Sequence, residues 1–422
     1  MLALAQSAGR AASSCGRRER GLVLLGVGTI AVHIVDDSFV QPQPGTSAGD
    51  HLVGGLVPLA VLGLAVWAYP RLRAGARAVM ALVLGMFGLG VASEAWYYTR
   101  EVGASGDDYT GLLAIPAGLL LLVVGVVTLW RSRRLDKPLW RRYGRRTLIV
   151  VGSLVAAMIV VYPLVYSYGM THVGRAVVPE AELGADFEEV TFTTDDGLEL
   201  EGWYVPSRNR AAVIAFAGRK GTQRPARMLI RHGYGVLLFD RRGEGDSEGD
   251  PNAVGWNGTR DVEAAIAFLH RRSDVDPDRI GGIGLSVGGE MLLEAAAESD
   301  DLKAVVSDGA GIRSVREASL MPSAVPIWAG LTAGTAVFSG HAPPPNLNDV
   351  VDRISPRPVF FIYASTGQGG EELSQDFYES ARQPKLVWKV PGATHTNGIE
   401  ARPHEYERRV VGFFDRALLE GS

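Results

Sequence analysis

Five apolar runs, at residues 21–40, 52–69, 76–98, 110–130 and 147–168, decide most of what the first 170 residues of this chain can become. A bilayer's hydrocarbon core is about 30 Å thick and takes about 20 apolar residues of helix to cross. The runs are rich in Leu, Val, Ala and Gly, and they are apolar all round. Aromatic residues stand near their ends: Trp67 and Tyr69, Trp96 to Tyr98, Trp130, and Tyr162 to Tyr168. Such rings favour the membrane–water boundary, where an apolar body and a polar tip are both satisfied. The expectation is a membrane domain of five transmembrane helices over residues 1–170.

The connectors give an orientation. Arg10, Arg17, Arg18 and Arg20 precede the first run, Arg71, Arg73 and Arg77 lie in the second connector, and the fourth holds Arg131, Arg133, Arg134, Lys137, Arg141, Arg142, Arg145 and Arg146. The first connector has no Lys or Arg and the third has only Arg100, a tally of fifteen against one. Cytoplasmic loops carry the Lys and Arg excess. The expected protein is therefore a multi-pass protein of the plasma membrane with a cytoplasmic N-terminus, and five crossings place everything after Tyr168 outside the cytoplasm.

One polar group in the spans stands out. His33, Asp36 and Asp37 close the first run, Asp50 and His51 open the second, Glu94 lies near the end of the third, and Asp107 and Asp108 adjoin the fourth. Ionisable groups at membrane depth are costly and often functional. Residues wetted by headgroups, a metal site and a docking surface are all consistent with that placement.

From about Val190 the pattern changes. "EVTFTTDDGLELEGWYVPS" reads as a hairpin turning at Asp196-Gly197. "AAVIAFAG" and "GYGVLLFD" are short apolar runs of the kind buried on both faces of a parallel sheet. Helical patterns alternate with them, and "RIGGIGLS", "KAVVSDGAG", "RPVFFIYAS" and "KLVWKVPG" supply further strands. Strand–helix alternation over this length predicts an α/β domain with a mainly parallel sheet across residues 171–422. The net charge of −4 carries no basic stripe, so nucleic acid is not an expected partner. The single cysteine, Cys15, forms no internal disulfide.

The chemistry concentrates at "GIGLSVGGE". With 52 glycines in the chain, a bare G-x-S-x-G would say little. Here Gly284-x-Ser286-x-Gly288 closes a predicted strand and opens a predicted helix, the setting a nucleophile elbow requires. In that setting the N–H of Val287 faces a developing oxyanion. The domain from about residue 186 to 420 resembles the α/β-hydrolase superfamily: "FDRRGEGDSEGD" is similar to its D-x-R-G-x-G-x-S loop, "RIGGIGLSVGG" to the elbow of the prolyl-oligopeptidase-like and dienelactone-hydrolase-like branches, and "VPGATHT" to their histidine loop. The resemblance implies a chain order of serine, acid, histidine. His395, in a loop after the last strand, is the expected general base; His404, at the start of the final helix, reads as a surface or capping residue. The superfamily's usual acid position after the seventh strand reads Ser365-Thr366-Gly367, without the Asp. Glu372 is the first candidate for the acid and Glu371 the second, with Asp308 at the end of the sixth strand a rival and Asp376 less well placed. Arg219 occupies the place of the second oxyanion donor, and with Lys220 it brings positive charge near the site.

Residues 320–340 are uncharged over their whole length. A crossing there would part Ser286 from His395, and Pro322 and Pro326 interrupt the helix, so the segment is expected within a cap at about 311–355, between the sixth and seventh strands. The expected function is a membrane-anchored serine hydrolase. It would cleave an ester or thioester of a small acyl or lipid-like substrate through an acyl-enzyme, with no metal and no cofactor. A serine peptidase or acyltransferase of the same fold, and a non-catalytic hydrolase-like sensor or scaffold, are the alternatives. The sequence does not fix an oligomeric state.

Overall fold

The computed structural model describes residues 16–420 except 102, 105, 132–137, 139, 141–143, 145–146, 149–150, 153, 156–157, 160–161, 174, 176, 217, 320–322 and 368–369. The N-terminal helices are α1 (Arg17–Val35), continued by a wider turn over Asp36–Val40, α2 (Leu52–Ala68), α3 (Ala74–Val91), α4 (Ser93–Glu101), α5 (Asp108–Arg131) and α6 (Tyr162–Thr171). Four segments, Arg17–Val40, Leu52–Arg71, Ala74–Val91 and Asp108–Arg131, are long and apolar enough to cross a membrane. They coincide with the first four predicted spans, except that the third breaks at Ala92 before α4. Of the fifth, 147–168, residues 149, 150, 153, 156, 157, 160 and 161 lie outside the described residues; its C-terminal part belongs to α6.

The remaining elements follow in chain order: β1 (Glu188–Thr193), β2 (Glu199–Val205), β3 (Ala212–Phe216), α7 (Arg224–Arg231), β4 (Gly235–Phe239), α8 (Thr259–His270), β5 (Ile280–Leu285), α9 (Val287–Glu298), β6 (Ala304–Asp308), α10 (Val325–Ser339), β7 (Val359–Ala364), α11 (Ser374–Ser380), β8 (Lys385–Val390) and α12 (Pro403–Phe414). Two compact units result. One comprises residues 1–174 together with 323–341, the other 175–322 together with 342–422.

In the first unit, small residues let helices approach closely. A Cβ on Gly85 of α3 would lie 2.8 Å from the Gly118 carbonyl of α5, and one on Gly118 would lie 2.8 Å from the Gly85 carbonyl. Close backbone contact of this kind drives association where lipid is as apolar as the side chains. At one end of the bundle, Glu19 accepts from Tyr69 Oη at 2.9 Å, Arg77 Nε at 3.0 Å and Thr128 Oγ1 at 3.3 Å, tying four helix ends to one carboxylate. At the other end, Thr110 Oγ1 lies 2.8 Å from Asp36 Oδ2 and 3.1 Å from His33 Nδ1, and His172 pairs with Asp37. Among the described residues no three His, Cys, Asp or Glu side chains come together as metal ligands.

The apolar segment expected in a cap belongs to this first unit. Gly330 and Gly334 of α10 lie against Pro163 and Ser167 of α6, and Phe338 meets the Tyr168 ring edge-on at 5.3 Å. The predicted hydrolase domain, 171–422 with a cap at 311–355, is thus interrupted: residues 323–341 pack with the N-terminal helices. The physical reason is a matching pair of surfaces, with two small residues one turn apart admitting a neighbouring helix.

The second unit is an eight-stranded sheet in the order β1-β2-β4-β3-β5-β6-β7-β8, with β2 antiparallel to its neighbours and β3 to β8 parallel. β1 and β2 form the predicted hairpin, with Gly197 at φ 89° in its turn. Every residue of β3, β4, β6 and β7 is buried, as the apolar runs of β3, β4 and β7 require when helices cover both faces, and β6 buries its polar Ser307 and Asp308 as well. Order reverses between β4 and β3–β5, and ligands of open α/β sheets gather at the carboxyl ends of strands near such a reversal. β3, β4 and β5 deliver Lys220, Arg241 and Ser286 there.

Candidate functional site

Ser286 stands between β5 and α9 with φ 51° and ψ −122°, a conformation rarely taken by a residue with a Cβ. The surroundings hold it there. Its N–H donates to the Asp308 carbonyl at 2.8 Å, and Gly289 N donates back to its carbonyl at 2.9 Å. The flanking glycines have no substitute. A Cβ on Gly284 would lie 2.3 Å from the Gly288 backbone, and one on Gly288 only 1.9 Å from the Phe216 carbonyl. Spacing of Gly284, Ser286 and Gly288 is therefore a packing requirement of the β5–α9 turn.

His395 reaches across from the loop after β8. Its Nε2 lies 3.0 Å from Ser286 Oγ and its Nδ1 2.9 Å from Glu371 Oε2. Glu371 is only 1 % exposed, and its other oxygen accepts the Ala364 N–H at 3.2 Å. The Glu371 carboxylate raises the His395 pKa above the ordinary imidazole value of 6.5, chiefly by hydrogen bonding to it, while partial burial opposes the rise.

The first-choice acid, Glu372, is exposed, and it is its neighbour Glu371 that meets the imidazole. The reason lies in the loop after β7. Gly370 takes φ 82° and turns the chain into a short helical turn over Glu371–Leu373, directing Glu371 inward and Glu372 outward. Gly367 then explains the missing aspartate. A Cβ there would lie 1.6 Å from Glu371 Oε1, so the carboxylate arriving from four residues further on fills the volume that a side chain at 367 would enter.

Asp308 is buried, but its carboxylate accepts from Tyr406 Oη at 2.9 Å. Burial pushes its pKa up to about 7, with Glu371 nearby adding to the rise and Tyr406 and His395 opposing it. Tyr406 had not been singled out as a site residue; in sequence it reads only as an apolar-face position of the last helix. Asp376 and His404 are exposed, on α11 and in the first turn of α12.

Val287 is the first residue of α9, so its N–H has no acceptor within the helix. Arg219 behaves otherwise than expected. Its N–H donates to Asp240 Oδ1 at 2.6 Å, and its Nε to Asp240 Oδ2 at 2.8 Å. Asp240 is fully buried and accepts both Arg219 donors, which withdraws the Arg219 N–H from an oxyanion role. Lys220, with Arg241, pairs with Glu244.

The strand order and the serine turn define the class: the second unit has the α/β-hydrolase fold, and the chain joins that fold to N-terminal helices long and apolar enough to cross a membrane. Residues 191–367 match the family model described as X-Pro dipeptidyl-peptidase (S15 family). The chain is 27% identical over 309 residues to the uncharacterized protein YfhR of Salmonella typhi, covering 69% of this chain and 99% of that one. It is 27% identical over 191 residues to the thiohydrolase aneE of Aspergillus aculeatus, covering 42% of this chain and 58% of the other. Among solved structures, the Pyrococcus furiosus esterase Pf2001 is 25% identical with a TM-score of 0.49, over 59% of this chain and 98% of that one.

Proposed function

We propose that this protein is a membrane-anchored serine hydrolase acting on ester or thioester bonds. The carrying observation is the unbroken hydrogen-bonded line from Ser286 through His395 to Glu371. In the proposed reaction, Ser286 Oγ attacks the acyl carbon as His395 Nε2 takes its proton. His395 then returns that proton to the leaving alkoxide or thiolate, and a water repeats the sequence on the acyl-enzyme. Glu371 holds the imidazole in the tautomer with Nδ1–H and stabilises the imidazolium as it forms. The Val287 N–H and the N-terminus of α9 stabilise the oxyanion. The likeness to a thiohydrolase supports thioester cleavage. The S15 family match supports a peptidase as the second reading.

The test is labelling of membranes with a fluorophosphonate probe. Wild type labels at Ser286 and Ser286→Ala does not; a folded wild-type protein that fails to label removes the hydrolase in favour of a scaffold. Unlabelled wild-type protein is then offered a p-nitrophenyl ester, a thioester and a Gly-Pro anilide, and faster turnover of the anilide selects the peptidase. We also infer, from the Lys and Arg asymmetry, that the N-terminus is cytoplasmic and the hydrolase unit lies outside the cytoplasm. Cys15, the single cysteine, then reacts with a membrane-impermeant maleimide only after cells are opened. Reaction in intact cells reverses the orientation.

A further inference from the structure

Glu290 is a buried acid that the proposed reaction leaves unused. It lies in the first turn of α9, four residues after Ser286, and only 5 % of it is exposed. Burial raises its pKa above the ordinary glutamate value of 4.5; Arg313, the Gly311 N–H and Arg241 oppose the rise and Glu317 adds to it. A carboxyl is costly to desolvate and needs a donor to face. Here the donor belongs to the loop after β6: Glu290 Oε1 accepts the Gly311 N–H at 2.9 Å. The two segments are already close. Ser286 N donates to the Asp308 carbonyl, and a Cβ on Gly289 would lie 2.6 Å from Ser307 Oγ.

The far side of that loop meets the triad. A Cβ on Gly309, whose φ is 80°, would lie 2.9 Å from Glu371 Oε2, the oxygen that faces His395, and 3.3 Å from His395 Cε1. The Ala310 carbonyl accepts from Ser374 Oγ at 3.3 Å, three residues beyond Glu371. Ile312 lies against Gly370, where a Cβ would be 2.6 Å from Ile312 Cγ1. Gly370 is the residue whose turn sends Glu371 inward. Residues 309–312 thus form a wedge between α9 and the turn that aims the acid. Position 309 leaves room for the carboxylate, 310 and 312 brace the turn, and 311 is fastened to Glu290. In a close-packed interior a shift at 311 passes directly to those neighbours.

We infer that Glu290 is a positioning residue of the triad. By fastening Gly311 it fixes the loop that aims Glu371 at His395, so the helix that carries the nucleophile also sets the acid. This rests on the hydrolase reading of Ser286, His395 and Glu371.

The full chain in detergent micelles is labelled with a fluorophosphonate across a pH series, and both the rate at Ser286 and the position of its acid limb are read. Glu371, Asp308 and Glu290 all raise the His395 pKa by their charge, so the variants must separate a field from a tie. Glu290→Gln removes the charge and keeps an acceptor for Gly311. It is expected within about threefold of wild type with the limb in place. Glu290→Leu removes both. Its rate is expected to fall about a hundredfold, the order for a reacting group displaced by about 1 Å, and its limb to move to lower pH as Glu371 loosens from the imidazole.

A Leu variant with the wild-type rate or an unmoved limb overturns the positioning role. A Gln variant as impaired as Leu does so too, because it assigns the effect to charge. Should Glu290→Leu fail to fold, Ile312→Ala decides: it loosens the same loop at Gly370, and an unmoved limb overturns the inference. All of these outcomes leave the hydrolase standing. A folded wild type that does not label overturns both.

Discussion

Two loops of the hydrolase unit offer a buried carboxyl to the site, and they use it differently. At the end of β6, Asp308 carries its acid at the last strand residue, points it to Tyr406 and holds its pKa near 7 by burial. After β7, Glu371 carries its acid on a longer arm, is fixed by the Ala364 N–H and meets His395. Both are buried, so burial does not distinguish them. Partners do. Asp308 is pushed toward its neutral form by burial against the opposing Tyr406 hydrogen bond, whereas Glu371 is aimed by a backbone N–H at the imidazole.

The largest effect should come from removing the member that meets the imidazole. Glu371→Gln is expected to lower kcat/KM about a thousandfold or more, because the amide no longer favours the productive tautomer. Glu372→Gln should stay within about twofold, as for an exposed surface change. Steady-state hydrolysis of a single ester by both variants decides between the neighbours; equal losses would erase the distinction the geometry draws. Gly367→Ala should behave like Glu371→Gln, since the new methyl would occupy the carboxylate's place. Gly367→Asp combined with Glu371→Ala should recover about tenfold over Glu371→Ala alone, by returning an acid to the shorter route.

Asp308→Asn should cost under about tenfold, because an amide oxygen can still accept from Tyr406. A loss as deep as that of Glu371→Gln would make the two loops equivalent. The smallest effect is in the pH profile. His395 must be neutral to act as base, so activity rises as pH climbs through its pKa, and Glu371 holds that pKa above 6.5. Glu371→Gln should therefore move the acid limb of its residual kcat/KM to lower pH. A limb that stays in place would show that Glu371 does not set the imidazole's basicity.

The legible and illegible parts of this site differ in kind. Ser286 and His395 could be read because chain order and a glycine pattern are sequence properties, and the glycines answer to backbone distances that leave no alternative. The acid could not be resolved between 371 and 372, because their inward and outward directions are decided by the turn at Gly370. Arg219 was misjudged for a similar reason: sequence does not show that a buried Asp240 has claimed its N–H. The strands of the parallel sheet were plain from their apolar runs. For α10, the length and apolarity were readable but the partner was not. The G-x-x-x-G spacing of Gly330 and Gly334 was the available signal, and its meaning depended on Pro163 and Ser167 being the surface that it fits.

That placement of α10 has a consequence for how the protein can be shed. The chain passes between its two units near 174, again near 322 and once more near 341. A protease cutting once in the stretch before β1 would sever only the first of these ties, and the hydrolase would stay held through both ends of α10. Release takes two further cuts and yields a catalytic unit in two pieces, joined by the sheet between β6 and β7. The two units are tied by three passages of the chain, and separating the second in one piece requires joining 322 to 342 as well as removing the first 174 residues.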